Sequence, residues 1–286
     1  MRAWPALLVT VLLAAAATAG EVRRGLTAPS PHLGRAIPYT LYTPDNVDRV
    51  TAGYPVLYLL HGHGGTEEDW VEAGRLQPTL DRLITAGTVP PMLVVMPGMG
   101  SGWYVDNPDP GGPGALETAF IDDLVPHIDR TWRTDARREA RAVAGLSMGG
   151  WGAVRFAMRR PDLFAAAASL SGALVPEPWT ASPVWAGLLA DGFGSPVDLA
   201  RFRAASPFTL IPAFAAAASR PAVYLACGDD DELELAQATL LFYEALHRAG
   251  IPVELRISDG GHNWEVWARE LEPMLRFAAG AFSGAP

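Results

Sequence analysis

Arg141-Ala-Val-Ala-Gly-Leu-Ser147-Met-Gly-Gly-Trp-Gly-Ala153 decides how this chain is read. Residues 141–144 form a short β-compatible run, and a helix-compatible segment begins at Gly150. Between them, Gly145-Leu146-Ser147-Met148-Gly149 fits G-x-S-x-G, a sharp turn from strand to helix that exposes a serine on strained backbone. Side chains two before and two after the serine would collide inside such a turn, and both positions are glycine. Gly150 lets the start of the helix approach closely. Ser147 is therefore a candidate nucleophile. The bland alternative is a Gly-rich turn with an incidental capping serine, and the surrounding pattern argues against it.

Outward from this block, strand and helix patterns alternate. Strands are expected over 37–43, 55–61, 92–96, 141–144, 164–170, 222–227 and 253–258, several bounded by Pro or Gly. The run Pro55-Val-Leu-Tyr-Leu-Leu-His61 is continuously apolar, as in a strand buried on both faces. Helices are expected over 76–86, 118–130, 151–160, 233–249 and 264–279; Gly250 suits a helix end and Pro161 a helix stop. The alternation predicts an α/β fold with a mostly parallel sheet and helices on both faces. Residues 98–114 are Gly/Pro-rich and read as a loop. Residues 173–220 are Pro- and Ala-rich and read as an insertion over the sheet edge, so residues 20–286 are expected to form a single domain.

A serine hydroxyl needs a base, and the base needs an acid to orient it. Where G-x-S-x-G works this way, the chain order is Ser, then Asp or Glu, then His. Only His247 and His262 follow Ser147. His247 falls inside an amphipathic helix and reads as a surface residue. His262 follows the run 253–258 on an Asp259-Gly260-Gly261 loop, where a reachable imidazole belongs. The acid should follow the run 222–227, where Asp229, Asp230, Asp231 and Glu232 are all available. Spacing does not choose among them, and the unused ones suit the start of the next helix. An oxyanion needs two amide donors. Met148, directly after the serine, offers one, and the loop His61-Gly62-His63-Gly64-Gly65 offers the other. A metal pair at His61 and His63 is the weaker reading, because no further His or Cys lies nearby at ligand spacing.

Composition narrows the alternatives. All 22 basic residues are Arg, against 31 acidic residues, for a net charge of −9. An acidic surface with no basic run disfavours nucleic acid, and the absence of Lys removes Schiff-base chemistry and a Walker-type phosphate loop. The lone Cys227 permits no intramolecular disulfide and reads as a small buried hydrophobe. Residues 1–19 read as a signal peptide: Arg2, an apolar run over 7–17, and the small-x-small site Ala17-Thr18-Ala19. The run is short for a bilayer-spanning helix, so a secreted or periplasmic protein without membrane insertion is expected.

These residues resemble the esterase D/antigen 85-like group of α/β-hydrolases, which includes feruloyl, acetyl-xylan and tributyrin esterases, S-formylglutathione hydrolases and mycolyltransferases. Four blocks carry the resemblance: residues 55–65 with Trp70, Gly102-Trp103-Tyr104-Val105-Asp106, residues 141–153, and Gly261-His262-Asn263-Trp264 with Trp267. The Ser-Leu-Ser-Gly at 169–172 fits the strand after the nucleophile helix. The resemblance implies the α/β-hydrolase fold. Its Gly-x-x-Asp-x-Leu pattern, met here by Gly228 to Leu233, implies Asp231 as the acid. It also implies the amide after His-Gly, at His63, as an oxyanion donor. Trp103 and Tyr104 become candidates for substrate binding, with core packing as the alternative. The implied activity is ester hydrolysis through an acyl-enzyme on Ser147, without cofactor or metal, on small-molecule or polymer-borne esters. The alternatives are transfer of the acyl group to an alcohol or sugar, and a non-catalytic binding protein on the same fold.

Overall fold

A computed structural model describes residues 20–45 and 53–282. The expected signal peptide lies outside the described residues. Eight strands form one sheet: β1 Glu21–Ala28, β2 Ile37–Thr43, β3 Val56–Leu60, β4 Leu93–Pro97, β5 Arg141–Leu146, β6 Ala166–Leu170, β7 Ala222–Gly228 and β8 Val253–Ser258. Their order is β1-β2-β4-β3-β5-β6-β7-β8. The β1/β2 and β2/β4 pairs are antiparallel, and all other pairs are parallel.

The alternation of side chains along a strand sorts the core into two layers. Val56, Tyr58 and Leu60 of β3, with Val143 of β5 and Val223 and Leu225 of β7, pack on one face against Trp151, Phe156, Phe120 and Phe242. Leu57 and Leu59, with Ala142, Ala144, Tyr224 and Ala226, pack on the other face against Leu76, Leu80, Leu83, Leu271 and Met274. The first face carries the helices Met148–Arg159 and Leu235–Arg248, and the second carries Leu76–Thr85 and Trp264–Gly280.

Parallel register brings the carboxyl ends of the inner strands to one edge. Leu60 pairs with Gly145, Leu146 with Leu170, Leu170 with Ala226, and Gly228 with Ser258. The segments that follow these strands therefore meet there, which is where open α/β sheets place their sites.

Three features go beyond the sequence reading. Strand β1 was not legible, because only Ala28 of its residues is buried and its pairing with β2 is irregular between Arg23 and Leu26. The helical run over 118–130 passes through a π-helical stretch, Ala119–Leu124, before continuing as Val125–Thr131. Residues 173–220 connect the adjacent interior strands β6 and β7 through a short turn and the helices Pro183–Phe193, Leu199–Ala205 and Pro207–Ala216. Their Trp185, Leu189, Phe193, Phe202 and Phe214 join the same apolar cluster as Trp151 and Phe156 of the Met148–Arg159 helix. The segment thus packs against the Met148–Arg159 helix.

Glycine is required at the crossing of β5, β3 and the helix after Ser147. A Cβ on Gly149 would sit 2.5 Å from the His61 carbonyl oxygen, and one on Gly145 would sit 2.5 Å from the Gly149 carbonyl carbon. Gly187, inside Pro183–Phe193, has nothing within 4 Å of its would-be Cβ. Gly149→Ala should therefore lower the unfolding free energy by about 2 kcal/mol or more, from overpacking. Gly187→Ala should raise it by about 0.5–1 kcal/mol, from helix propensity. Urea unfolding of the two variants checks both signs.

Candidate active site

Ser147 occupies the single residue between β5 and the helix Met148–Arg159, at φ 53° and ψ −122°. Its backbone is held from both sides. The Ser147 amide donates to the Leu170 carbonyl at 2.9 Å, and the Ser147 carbonyl accepts from Trp151 and Ala173 at 3.1 Å each. The turn therefore pushes the hydroxyl out of the sheet edge while the backbone stays fixed.

His262 comes from the loop after β8. Its Nε2 lies 3.0 Å from Ser147 Oγ, and its Nδ1 lies 2.7 Å from Asp231 Oδ2. A carboxylate only accepts, so Nδ1 carries the proton and Nε2 is left to accept from the serine hydroxyl. The Asp231 side chain is fully buried, and its other oxygen accepts from the Leu233 amide at 3.1 Å. Of the four acidic candidates, Asp231 alone is buried; Asp229, Asp230 and Glu232 are exposed.

The other acids do not act as first-turn charges on the next helix, which starts at Leu235 and has no acidic residue in its first turn. They stitch the two loops instead. Asp229 Oδ1 accepts from the Gly260 amide at 3.0 Å, and Glu232 Oε2 accepts from the His262 amide at 3.0 Å. The His262 amide holds the Glu232 carboxyl below the usual carboxylate range. Glu232 thus anchors the backbone of the residue whose ring meets Ser147, a role that spacing did not reveal. Asn263 caps the helix Trp264–Gly280 by accepting from the amides of Glu265 and Val266, which fixes the other side of His262. Cys227 lies behind Asp231, with Sγ 3.7 Å from Oδ2, and burial pushes its thiol up to about 12. His247 sits in the last turn of its helix, stacked on Tyr243.

The turn after β3 is set by His61. Its ring is buried, and desolvation pushes its pKa down, so it is neutral at pH 7. Nδ1 donates to the Gly62 carbonyl at 2.7 Å, and Nε2 accepts from the Met99 amide at 3.1 Å. Both nitrogens are engaged, which leaves neither for a metal shared with His63. The Gly62 carbonyl also accepts from Gly65 at 3.1 Å, closing a turn with Gly64 at φ 74°. In a trans peptide the N–H points opposite to the preceding C=O. With the Gly62 carbonyl held by His61 and Gly65, the His63 N–H points to the other side. Met148 begins a helix, and a first-turn amide has no partner inside its own helix.

These groups border a cleft of about 450 Å³, lined by Gly62–Gly65, Asp69, Leu146, Ser147, His262, Asn263, Trp264 and Trp267. Trp267 stands edge-on to the His262 ring, with centroids 4.9 Å apart, and Trp264 packs edge-on against Trp70 and Trp267. Two tryptophans three apart, directly after the candidate histidine, were the available signal for this wall. A larger hollow of about 650 Å³ involves residues at the amino-terminal ends of β7 and β8 and contains none of these groups.

Trp103 and Tyr104 do not line this cleft. They are 1% and 0% exposed, both with left-handed backbone. The Trp103 indole donates to the Leu188 carbonyl at 2.7 Å, and the Tyr104 hydroxyl donates to the His61 carbonyl at 2.9 Å. Of the two readings left open for this pair, core packing is the one these contacts fit: both residues join the apolar core, and Tyr104 holds the His61 backbone.

His61→Ala removes two hydrogen bonds and a buried ring, and should lower the unfolding free energy by about 2–4 kcal/mol in chemical denaturation. Unchanged stability would contradict the anchoring role.

The chain matches the Esterase family model over residues 30–278. It is 36% identical over 246 residues to Esterase Rv1288 of Mycobacterium tuberculosis, covering 77% of this chain and 51% of that one. It is 30% identical over 253 residues to an endo-1,4-beta-xylanase/feruloyl esterase of Xylanibacter ruminicola, covering 86% of this chain and 30% of that one. The chain thus spans about half the length of the first relative and under a third of the second. Among solved structures it is similar to a ferulic acid esterase, with a TM-score of 0.77 and 31% identity over 93% of this chain and 99% of that one. The eight-stranded sheet and these likenesses identify the α/β-hydrolase fold, and the chain belongs to the Esterase family.

Proposed function

We propose that the chain hydrolyses carboxylic esters through an acyl-enzyme on Ser147. The observation that carries this reading is the hydrogen-bonded series Ser147 Oγ, His262, Asp231, at 3.0 and 2.7 Å, ending on a fully buried carboxylate. Ser147 Oγ attacks the ester carbonyl while His262 Nε2 takes its proton. Asp231 keeps the other ring proton in place and stabilises the imidazolium. The amides of Met148 and His63 receive the oxyanion, where a single well-placed donor is worth about 10²–10³ in rate. His262 then gives its proton to the leaving alcohol, and water repeats the sequence on the acyl-enzyme. No step calls for a cofactor or a metal.

Small-molecule or polymer-borne esters are the substrate class, supported by the feruloyl esterase relatives and by a cleft walled with Trp264 and Trp267. The apolar run and small-x-small site in residues 1–19 support export to the periplasm or beyond. No helix among the described residues is long and apolar enough to cross a membrane. Mass spectrometry of exported protein should find an amino terminus near Gly20, and retention of Met1 would overturn the cleavage.

Hydrolysis of p-nitrophenyl acetate, butyrate and octanoate tests the activity. Ser147→Ala should lose at least about 10³-fold in kcat while remaining folded. Asp231→Asn should cost far more than Asp230→Asn. Equal turnover by wild type and Ser147→Ala would reject the reading, and the reverse ranking of the two aspartates would displace the acid. Added glycerol separates hydrolysis from transfer, because only a transferase yields the glycerol ester as its main product.

A further inference from the structure

We infer that Asp191 is a positioning residue for the oxyanion turn, acting through the side chain of His63. This rests on the esterase reading above. His63 Nε2 lies 3.1 Å from Asp191 Oδ2, a bond spanning 128 positions in the chain. The carboxylate accepts, so Nε2 carries the proton, and the bond exists in both the neutral and the protonated ring. Asp191 belongs to the helix Pro183–Phe193 of the inserted segment. The bond therefore ties the turn after β3 to a separate part of the fold.

Asp191 is a fixed post, although its side chain is 55% exposed. Asn107 Nδ2 donates to the Asp191 carbonyl at 3.2 Å, and Arg201 Nη2 donates to the Gly192 carbonyl at 2.9 Å. One helical turn earlier, Trp103 holds the Leu188 carbonyl. Gly192 fits flush against Trp103, since a Cβ there would come within 2.9 Å of it. On the turn itself, the Gly64 amide donates to Ser101 Oγ at 3.0 Å.

His63 is consequently held at both ends. Its amide direction follows from the anchored Gly62 carbonyl, and its ring is tethered to Asp191. An aliphatic side chain at this position has no donor and forms no tether. The buried residues Trp103 and Asn107, which do not line the cleft, contribute by keeping Asp191 where His63 meets it.

The test compares Asp191→Ala, Asp191→Asn and His63→Leu with wild type. Asn keeps an acceptor oxygen and loses the charge. With p-nitrophenyl acetate, Asp191→Ala should lower kcat about threefold to tenfold, with KM within twofold, because exposed bonds are modest and small displacements of a donor are felt mainly in the transition state. A trifluoromethyl ketone, whose serine adduct carries the oxyanion, should bind more weakly by the same factor. Asp191→Asn should recover at least half of the lost kcat. His63→Leu should match Asp191→Ala, and the double variant should lose no more than either.

Amide hydrogen exchange in a peptide covering residues 61–66 should accelerate in Asp191→Ala and stay near wild type in Asp191→Asn. This readout needs no turnover. If wild type shows no Ser147-dependent hydrolysis, the esterase reading fails, and exchange still decides the tether. Unchanged kcat and exchange in Asp191→Ala would overturn the proposal. So would a loss confined to KM with ketone binding intact, which would make Asp191 a substrate wall, or an Asp191→Asn variant as impaired as Asp191→Ala.

Discussion

Ser147 is a non-glycine residue at φ 53°, ψ −122°, and the remainder of the site depends on keeping it there. A backbone of this kind costs on the order of 1–3 kcal/mol and persists only where its surroundings leave no alternative. Here β6 supplies the Leu170 carbonyl and Ala173 supplies a donor. Gly145 and Gly149 remove the side chains that would separate β5, β3 and the following helix. The cost is local, and it is offset by the two apolar layers on either face of the sheet.

Once the turn is fixed, the partners arrive through parallel register. Strands β7 and β8 end side by side at Gly228 and Ser258, so the loops carrying Asp231 and His262 start as neighbours. Asp229 and Glu232 then bind amides of the opposite loop, and Asp230 donates its own amide to the Gly260 carbonyl. The acidic run therefore has divided labour. One member is buried against an imidazole, and the others hold the loop that presents it. A buried carboxylate is tolerable because its oxygens meet the His262 ring and the Leu233 amide.

The strands of the interior were legible because they are short apolar runs ending at Gly or Pro. The Gly145–Gly149 turn was legible because its chemistry is local. Ser147 was read from that turn, and His262 from the chain order that follows it. The choice of Asp231 came from the family pattern, since four adjacent acids look alike until burial distinguishes them. Strand β1 stayed hidden because an exposed edge strand containing Arg23, Arg24 and Gly25 has no hydrophobic signature. Trp103 and Tyr104 stayed ambiguous between substrate binding and core packing because an aromatic pair in a Gly-rich loop gives no sign of which way it faces; both side chains are buried. The bond between His63 and Asp191 joins residues so far apart in sequence that no local pattern encodes it.

Hydrolysis through Ser147 requires a covalent intermediate, and intact-mass spectrometry after rapid acid quench with p-nitrophenyl butyrate looks for it directly. The expected result is a transient gain of about one butyryl group, mapped by proteolysis to the peptide containing residues 141–153 and absent from Ser147→Ala. An acyl group mapped to another residue, or p-nitrophenol released at full rate by the Ser147→Ala protein, would contradict it.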